Sequence, residues 1–168
     1  NLPMNIKFES KNLIFEKLST KHLSNTYVQW LNNAEINKFL EIGNDYTLKK
    51  LESFLIDVEQ KDILFWAIIL KENNEHIGNI KIDPIKNHVG DYGILMGNKD
   101  YWGKGLAYEA SIAIIDFCFS KIKLKKIRLG VYEDHIAAIK LYQKIGFKVY
   151  KTIKYEDSKR QFKSVLME

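Results

Sequence analysis

The sequence predicts one α/β domain, a mixed β-sheet of about seven strands flanked by about four helices. Three observations predict it. Short apolar or β-branched runs alternate with segments whose apolar residues recur at helical spacing. The 168 residues are 46% hydrophobic, enough to bury a core without disulfide or metal staples. No repeat, low-complexity stretch or Gly/Ser linker divides the chain. The domain is expected to span residues 4–168, with Met4 read as the natural start and residues 1–3 left outside it.

Residues 5–18 place β-branched and aromatic residues around a polar turn at Ser10, Lys11 and Asn12, which predicts a hairpin or bent strand. Thr20 stands where it would cap a helix running to Asn32, with Leu23, Tyr27, Trp30 and Leu31 on one face. Thr47 would cap another to Lys61, through Leu48, Leu51, Phe54, Leu55 and Val58. Residues 63–70 are an apolar run short enough for a buried strand. Glu72, Asn73 and Asn74 read as a turn into a strand at His76–Ile82, and Val89–Met96 as the next strand. A helix over Gly105–Lys121 carries Leu106, Ala110, Ala113, Ile114 and Phe117 as an apolar stripe. Residues 126–132 form a strand, and Asp134–Ile145 a helix that Gly146 stops. Phe147–Ile153 and Phe162–Met167 close the chain as strands.

Composition excludes several classes. A single cysteine, Cys118, forbids an internal disulfide and leaves too few thiolates for a zinc site; it is expected to be a buried hydrophobe. Histidines 22, 76, 88 and 135 lack metal-ligand spacing, so no metal is expected. No apolar run approaches the roughly 20 residues of a membrane span, and the N-terminus lacks the charged-then-apolar order of a signal peptide. A cytoplasmic location is therefore expected. The 26 basic residues exceed the 21 acidic ones by five, which suits a phosphate-bearing ligand. Without an RNP-like aromatic signature, nucleic acid is not the expected partner.

The segment Tyr101-Trp102-Gly103-Lys104-Gly105-Leu106-Ala107 joins a strand to a helix. Its glycines free the backbone to turn, which by itself fits a plain tight strand–helix turn; alternatively the first helical N–H groups point at an anion, with pyrophosphate the natural guest. A dinucleotide fingerprint is absent, because Tyr108 holds the third glycine position; a P-loop is absent too.

YWGKGLAYEA, followed about 35 residues later by HIAAIKLYQKIGF, resembles the two signature motifs of the GNAT superfamily of acyl-CoA-dependent N-acetyltransferases. The first is similar to the family's Q/R-x-x-G-x-G/A pyrophosphate loop, with Trp102 at the Q/R position. The second is similar to N-x-x-A…L-Y-x-K-x-G-F, with His135 at the Asn position. YVQWLNNAEINKFLE resembles the branch that holds ribosomal-protein and amino-sugar acetyltransferases.

The resemblance implies a splayed sheet that binds acetyl-CoA. Main-chain groups near Ile94, Leu95 and Met96 would pair with pantetheine, while Gly103, Lys104, Gly105, Leu106 and Ala107 would hold the pyrophosphate. His135 and Ala138 would lie along the cofactor, and Tyr142 would protonate the leaving thiolate. Asp91 and Glu41 are the carboxylates expected as base, while Glu109 is expected to be structural. Trp30, Tyr27 and Trp66 are expected in the core, with Trp30 or Phe39 also a candidate to line the acceptor pocket. GNIKIDPI before GDYGILMG resembles acetyltransferases of nucleotide-linked amino sugars, so such an amine is the first acceptor expected. A protein N-terminus comes second and polyamines or antibiotics third. A non-catalytic CoA-binding module is the alternative, and a homodimer is left open.

Overall fold

The computed structural model describes residues 7–37, 45–154 and 161–167. Strands β1 (Phe8–Glu9) and β2 (Leu13–Lys17) form the first hairpin, whose turn closes with the Ser10 N–H donating to the Leu13 carbonyl at 2.9 Å. Thr20 does not cap a helix. It begins a 3-10 turn, Thr20–His22, capped by Ser19, and Leu23 is extended. Helix α1 (Asn25–Asn32) then starts after Ser24, whose hydroxyl accepts from the Tyr27 N–H at 3.0 Å. The stronger local cap won. A single turn, α2 (Ala34–Asn37), follows unanticipated. Helix α3 (Leu48–Gln60) begins as expected at Thr47, which accepts from the Lys50 N–H at 3.1 Å.

Strands β3 (Leu64–Leu70), β4 (Glu75–Lys86) and β5 (Val89–Met96) form an antiparallel meander. β4 runs four residues beyond the expected end, to a two-residue turn at Asn87 (φ 53°) and His88 (φ 64°). Helix α4 (Leu106–Phe117) gives way to one π-turn, Cys118–Ile122, ended by Lys123 in a left-handed conformation. Strand β6 (Lys126–Tyr132), helix α5 (Ile136–Ile145) and strands β7 (Lys148–Lys154) and β8 (Gln161–Met167) complete the chain.

The sheet order is β1-β2-β3-β4-β5-β6-β8-β7, so the last strand inserts between two earlier ones. Every neighbouring pair is antiparallel except β5–β6. Helices α4 and α5 cover one face over a core containing Phe15, Trp66, Ile80, Tyr92, Ile114, Ile127 and Tyr142. Helices α1 to α3 cover the other face of the early strands through Tyr27, Trp30, Leu51 and Leu55, packed on Ala67 and Ile69. Along β5 the side chains alternate accordingly: Tyr92, Ile94 and Met96 pack on the α4–α5 side, Leu95 on the α1–α3 side.

Candidate active site

The parallel pairing of β5 with β6 covers Val89–Asp91 against Lys126–Arg128 and goes no further. β6 continues instead with β8 as far as Tyr132–Phe162. The two strands therefore diverge beyond Asp91, and residues 92–96 of β5 present an edge to the gap. Backbone parity decides which groups face it. The Gly97 N–H donates to the Ile77 carbonyl of β4 at 2.9 Å, so Leu95, two residues earlier, also turns its main chain toward β4. His88, of the opposite parity, accepts from the Lys125 N–H at 2.8 Å on the β6 side. Ile94 and Met96 share that parity and aim their amides at the gap. The Met96 carbonyl is already engaged there, by the Trp102 indole N–H at 2.8 Å. Of the three residues expected along pantetheine, Ile94 thus offers both of its main-chain groups to the opening, Met96 its N–H, and Leu95 neither.

The glycine turn lies just past the end of β5. Gly103 (φ 75°) and Gly105 (φ 79°) are left-handed, and a Cβ built on either meets nothing within 4 Å. Gly105 is the N-cap of α4 and has no side chain to cap it. The N–H groups of the first turn, at Leu106 and Ala107, are thus left to solvent or to an anion. Lys104 is exposed, its ammonium 5.4 Å from the Tyr101 ring centre. This is a cradle that a pyrophosphate fits. Glu109, one turn in, accepts from the Asn12 N–H at 2.8 Å and from Asn12 Nδ2 at 2.7 Å, besides the Ser10 hydroxyl. Burial raises its carboxyl pKa, but these bonds and nearby Lys11 outweigh that and hold it low. Glu109 locks α4 onto the first hairpin.

Tyr142 lies beneath the divergence. Its ring meets Tyr92 edge-on at 5.8 Å, and it lines a cavity of about 260 Å³ with Val131, Ile139, Gln143 and Phe147. Burial pushes its phenol up to about 12, so it stays protonated at neutral pH. Tyr92 is fixed from below by a hydrogen bond with Ser111 Oγ. His135 is the N-cap residue of α5, and Ala138 is buried one turn further on. No group of three or more metal-ligating side chains occurs among the described residues.

The two expected bases fare differently. Glu41, like Phe39, lies outside the described residues. Asp91 sits at the closed end of the gap, where its carboxylate takes a hydrogen bond from Arg128 Nε at 2.6 Å. Trp30 is 5% exposed and packs flat on Gly97, where any Cβ would run into its ring; it belongs to the core rather than an open pocket.

Sequence reasoning missed a buried polar chain behind Leu95. His76 Nε2 donates to Asn79 Oδ1 at 2.8 Å, and Asn79 Nδ2 donates to the Tyr27 hydroxyl at 2.9 Å. A bulge opposite Ile68 and Ile69 makes this possible. Residues three apart on a regular strand face opposite ways; the extra residue turns His76 and Asn79 to the same side. Burial pushes the His76 imidazole down to about 4, so it is neutral. His22, 5.1 Å away ring to ring, bonds Glu16 at 2.9 Å. A histidine on a strand gave no signal, because the bulge cannot be read from periodicity.

The chain is similar to known proteins in sequence and in fold. A family model described as acetyltransferase (GNAT) domain matches residues 12–148. An uncharacterised protein of Methanocaldococcus jannaschii is 27% identical over 142 residues, covering 83% of this chain and 29% of that protein. The L-amino acid N-acetyltransferase AaaT of Escherichia coli is 32% identical over 77 residues, 44% of this chain and 47% of that one. Spermidine N(1)-acetyltransferase of Escherichia coli is 31% identical over 91 residues, 52% and 48% of the two chains. The chain thus spans between about a third and half the length of these relatives. Among solved structures, a GNAT-family acetyltransferase from Bacillus anthracis superposes with a TM-score of 0.83 at 18% identity, over 96% of this chain and 98% of that one. Because the family match runs from the first hairpin to the start of β7, and takes in the diverging strands and the glycine turn together, the chain belongs to the GNAT acetyltransferase family.

Proposed function

We propose that this protein transfers the acetyl group of acetyl-CoA to the primary amine of a small molecule. The observation that carries this reading is the end of β5–β6 pairing at Asp91–Arg128, beside a helix whose first turn has no side-chain cap. A strand edge that is open in the sheet interior can take an extended pantetheine arm by main-chain bonding, as an added strand would. The α4 N-terminus then receives the pyrophosphate, with Gly103 and Gly105 keeping Cβ atoms out of its way.

In the reaction, the amine nitrogen bonds to the thioester carbon and the carbon–sulfur bond breaks. The N–H of Ile94 or Met96 would stabilise the carbonyl oxygen as it gains charge. Tyr142 would give its phenolic proton to the departing thiolate. A phenol that burial raises to about 12 remains protonated until that thiolate appears, and is readily reprotonated afterwards. The amine must attack in its neutral form and lose a proton on forming the amide. Proton removal is assigned to Glu41 or to solvent, since the Asp91 carboxylate is occupied by Arg128.

The names of two relatives, an L-amino acid and a spermidine acetyltransferase, support a small amine as acceptor. None of the three relatives described above names a nucleotide-linked amino sugar, the acceptor first expected, and a protein N-terminus stays as the second reading. The test is thiol release from acetyl-CoA with separate panels of L-amino acids, amino sugars and their phosphates, polyamines and N-terminal peptides. Release with a small-molecule panel supports the proposal. Release with the peptides alone assigns a protein N-terminus instead. Tight acetyl-CoA binding without release in any panel would favour a non-catalytic CoA-binding module.

A further inference from the structure

α4 and Tyr142 belong to the α4–α5 side of the sheet, the side on which CoA is proposed to bind, which leaves the opposite face to the acceptor. The charged side chains that this face presents beside the gap are therefore those an acceptor meets. Arg128 and Gly130 of β6 alternate with the buried Ile127, Leu129 and Val131, which point to the α4–α5 core. Arg128 consequently stands on the acceptor face, where β5 and β6 begin to part. Asp91 lies across from it in register.

Their ion pair is not a buried one. The Arg128 side chain is 47% exposed and that of Asp91 36%. Asp91 engages Nε and the Tyr150 side chain hydrogen-bonds the guanidinium as well, so two partners fix its orientation while the remaining N–H donors are left for a ligand. Lys81 is the second cation. It is paired in register with Gly93, two residues beyond Asp91, and its aliphatic stem lies across that glycine while its ammonium sits over Phe65 at 5.8 Å. Gly93 has no side chain to separate them, so Lys81 flanks the same strip of β5 as the Asp91–Arg128 pair. Asp83 lies further from the opening, where its charge acts on Lys61. Of these described residues, Arg128 and Lys81 set two cations against the Asp91 carboxylate, which already holds one of them.

We infer, building on the proposed acetyl transfer, that Arg128, held in place by Asp91 and assisted by Lys81, recognises an oxyanion on the acceptor, so that the substrate is an amine that also bears a carboxylate or a phosphate. A planar guanidinium fixed through Nε is preorganised for two-point contact with either group. The same charges repel a polyamine, which brings only cations to the opening. Asp91 then acts as a positioning residue and not as the base.

Matched acceptor pairs test this. Acetyl-CoA turnover is measured with glucosamine 6-phosphate against glucosamine, with L-phenylalanine against its amide, and with spermidine. Binding of glucosamine 6-phosphate and of L-phenylalanine to the CoA-saturated protein is measured by calorimetry in parallel. The expected result is a kcat/KM at least tenfold higher for one anionic member than for its neutral partner. The pair that discriminates tells phosphate from carboxylate. Arg128→Gln should erase that preference through the KM of the acceptor, leaving the KM of acetyl-CoA unchanged, and Arg128→Lys should restore part of it. Asp91→Asn should weaken the preference without moving the pH profile of kcat. Binding of an anionic member that Arg128→Gln abolishes, with no turnover, would uphold the anion site and refute acetyl transfer to that amine. Spermidine as the best substrate, equal use of the paired members, an equal loss for both members in Arg128→Gln, or neither binding nor turnover of any anionic member would each overturn the inference.

Discussion

Tyr142 shows how much one side chain's surroundings decide. On its helix it shares a face with Ala138 and Ile145, and all three are buried, as in any amphipathic packing. What sets it apart is its place under the diverging strands and a phenol raised to about 12. Tyr142→Phe keeps the ring contacts and removes only the proton. We expect kcat to fall by roughly 10²-fold with the KM of acetyl-CoA nearly unchanged, the scale of a lost general acid; steady-state kinetics that show wild-type turnover would remove the role. Cys118 is the contrasting case, a free thiol buried in the turn after α4, which burial raises to about 12. His76 makes a prediction about stability. Its imidazole titrates near 4 when folded and near 6.5 when unfolded, so between those values the unfolded chain binds more protons. Stability should decline as pH falls from about 6.5 toward 4, by up to about 3 kcal/mol from this residue. Urea titrations at several pH values on the protein and on His76→Gln measure it; parallel pH dependences would show that His76 does not carry the loss.

Among the elements, α4 is the one whose first turn has no side-chain cap beside the proposed pyrophosphate cradle. A helix begun by a left-handed glycine gives up only the few tenths of a kcal/mol, roughly, by which a Ser or Asp cap exceeds a glycine. The same absence leaves the N–H groups available to a phosphate. Gly105→Ala should cost stability by about 1 kcal/mol, the strain of a left-handed alanine. It should also raise the KM of acetyl-CoA by roughly tenfold, equivalent to about 1.4 kcal/mol of binding. Gly146→Ala provides the comparison. That glycine also has a positive φ (120°) and open space around a built Cβ, but it ends α5 away from the cradle. Its replacement should lower stability while leaving the KM of acetyl-CoA alone, and a similar KM rise in both variants would mean that strain alone is being measured. The bulge in β4 is a second element-scale device. It joins His76 and Asn79 to Tyr27 and so anchors α1 over the end of β5.

For the whole molecule, the main-chain pairing that joins the two halves of the sheet among the described residues is three parallel residue pairs on β5 and β6. A cofactor lying along both would add bonding where the sheet itself has none. CoA should therefore raise the melting temperature in a concentration-dependent way, its binding adding about 2.7 kcal/mol of stability at a hundredfold excess over its Kd. Differential scanning fluorimetry reads this directly. A melting temperature that does not move with CoA would refute the cradle assignment. The Gly105→Ala variant should need a higher CoA concentration for the same shift.

Local chemistry was legible from the residues alone. Thr47 capped its helix, Gly146 ended α5, and the Gly103–Gly105 turn opened α4, because caps and left-handed turns depend on neighbouring residues only. The alternation of strand and helix also follows from apolar periodicity, which is why the α/β class and most element positions could be read in order. Thr20 misled, since two serines nearby offered better caps than periodicity weighs. Non-local relations were beyond reach. The insertion of β8 between β6 and β7, the divergence of β5 from β6, and the bulge that aims His76 at Tyr27 depend on which strands pair and in what register. So does the Asp91–Arg128 contact, between residues 37 apart in the chain. A sequence fixes hydrogen bonds between neighbours through short-range sterics. Those between distant strands are chosen by the packing of the whole core, and it is that packing which opens the gap where the chemistry would occur.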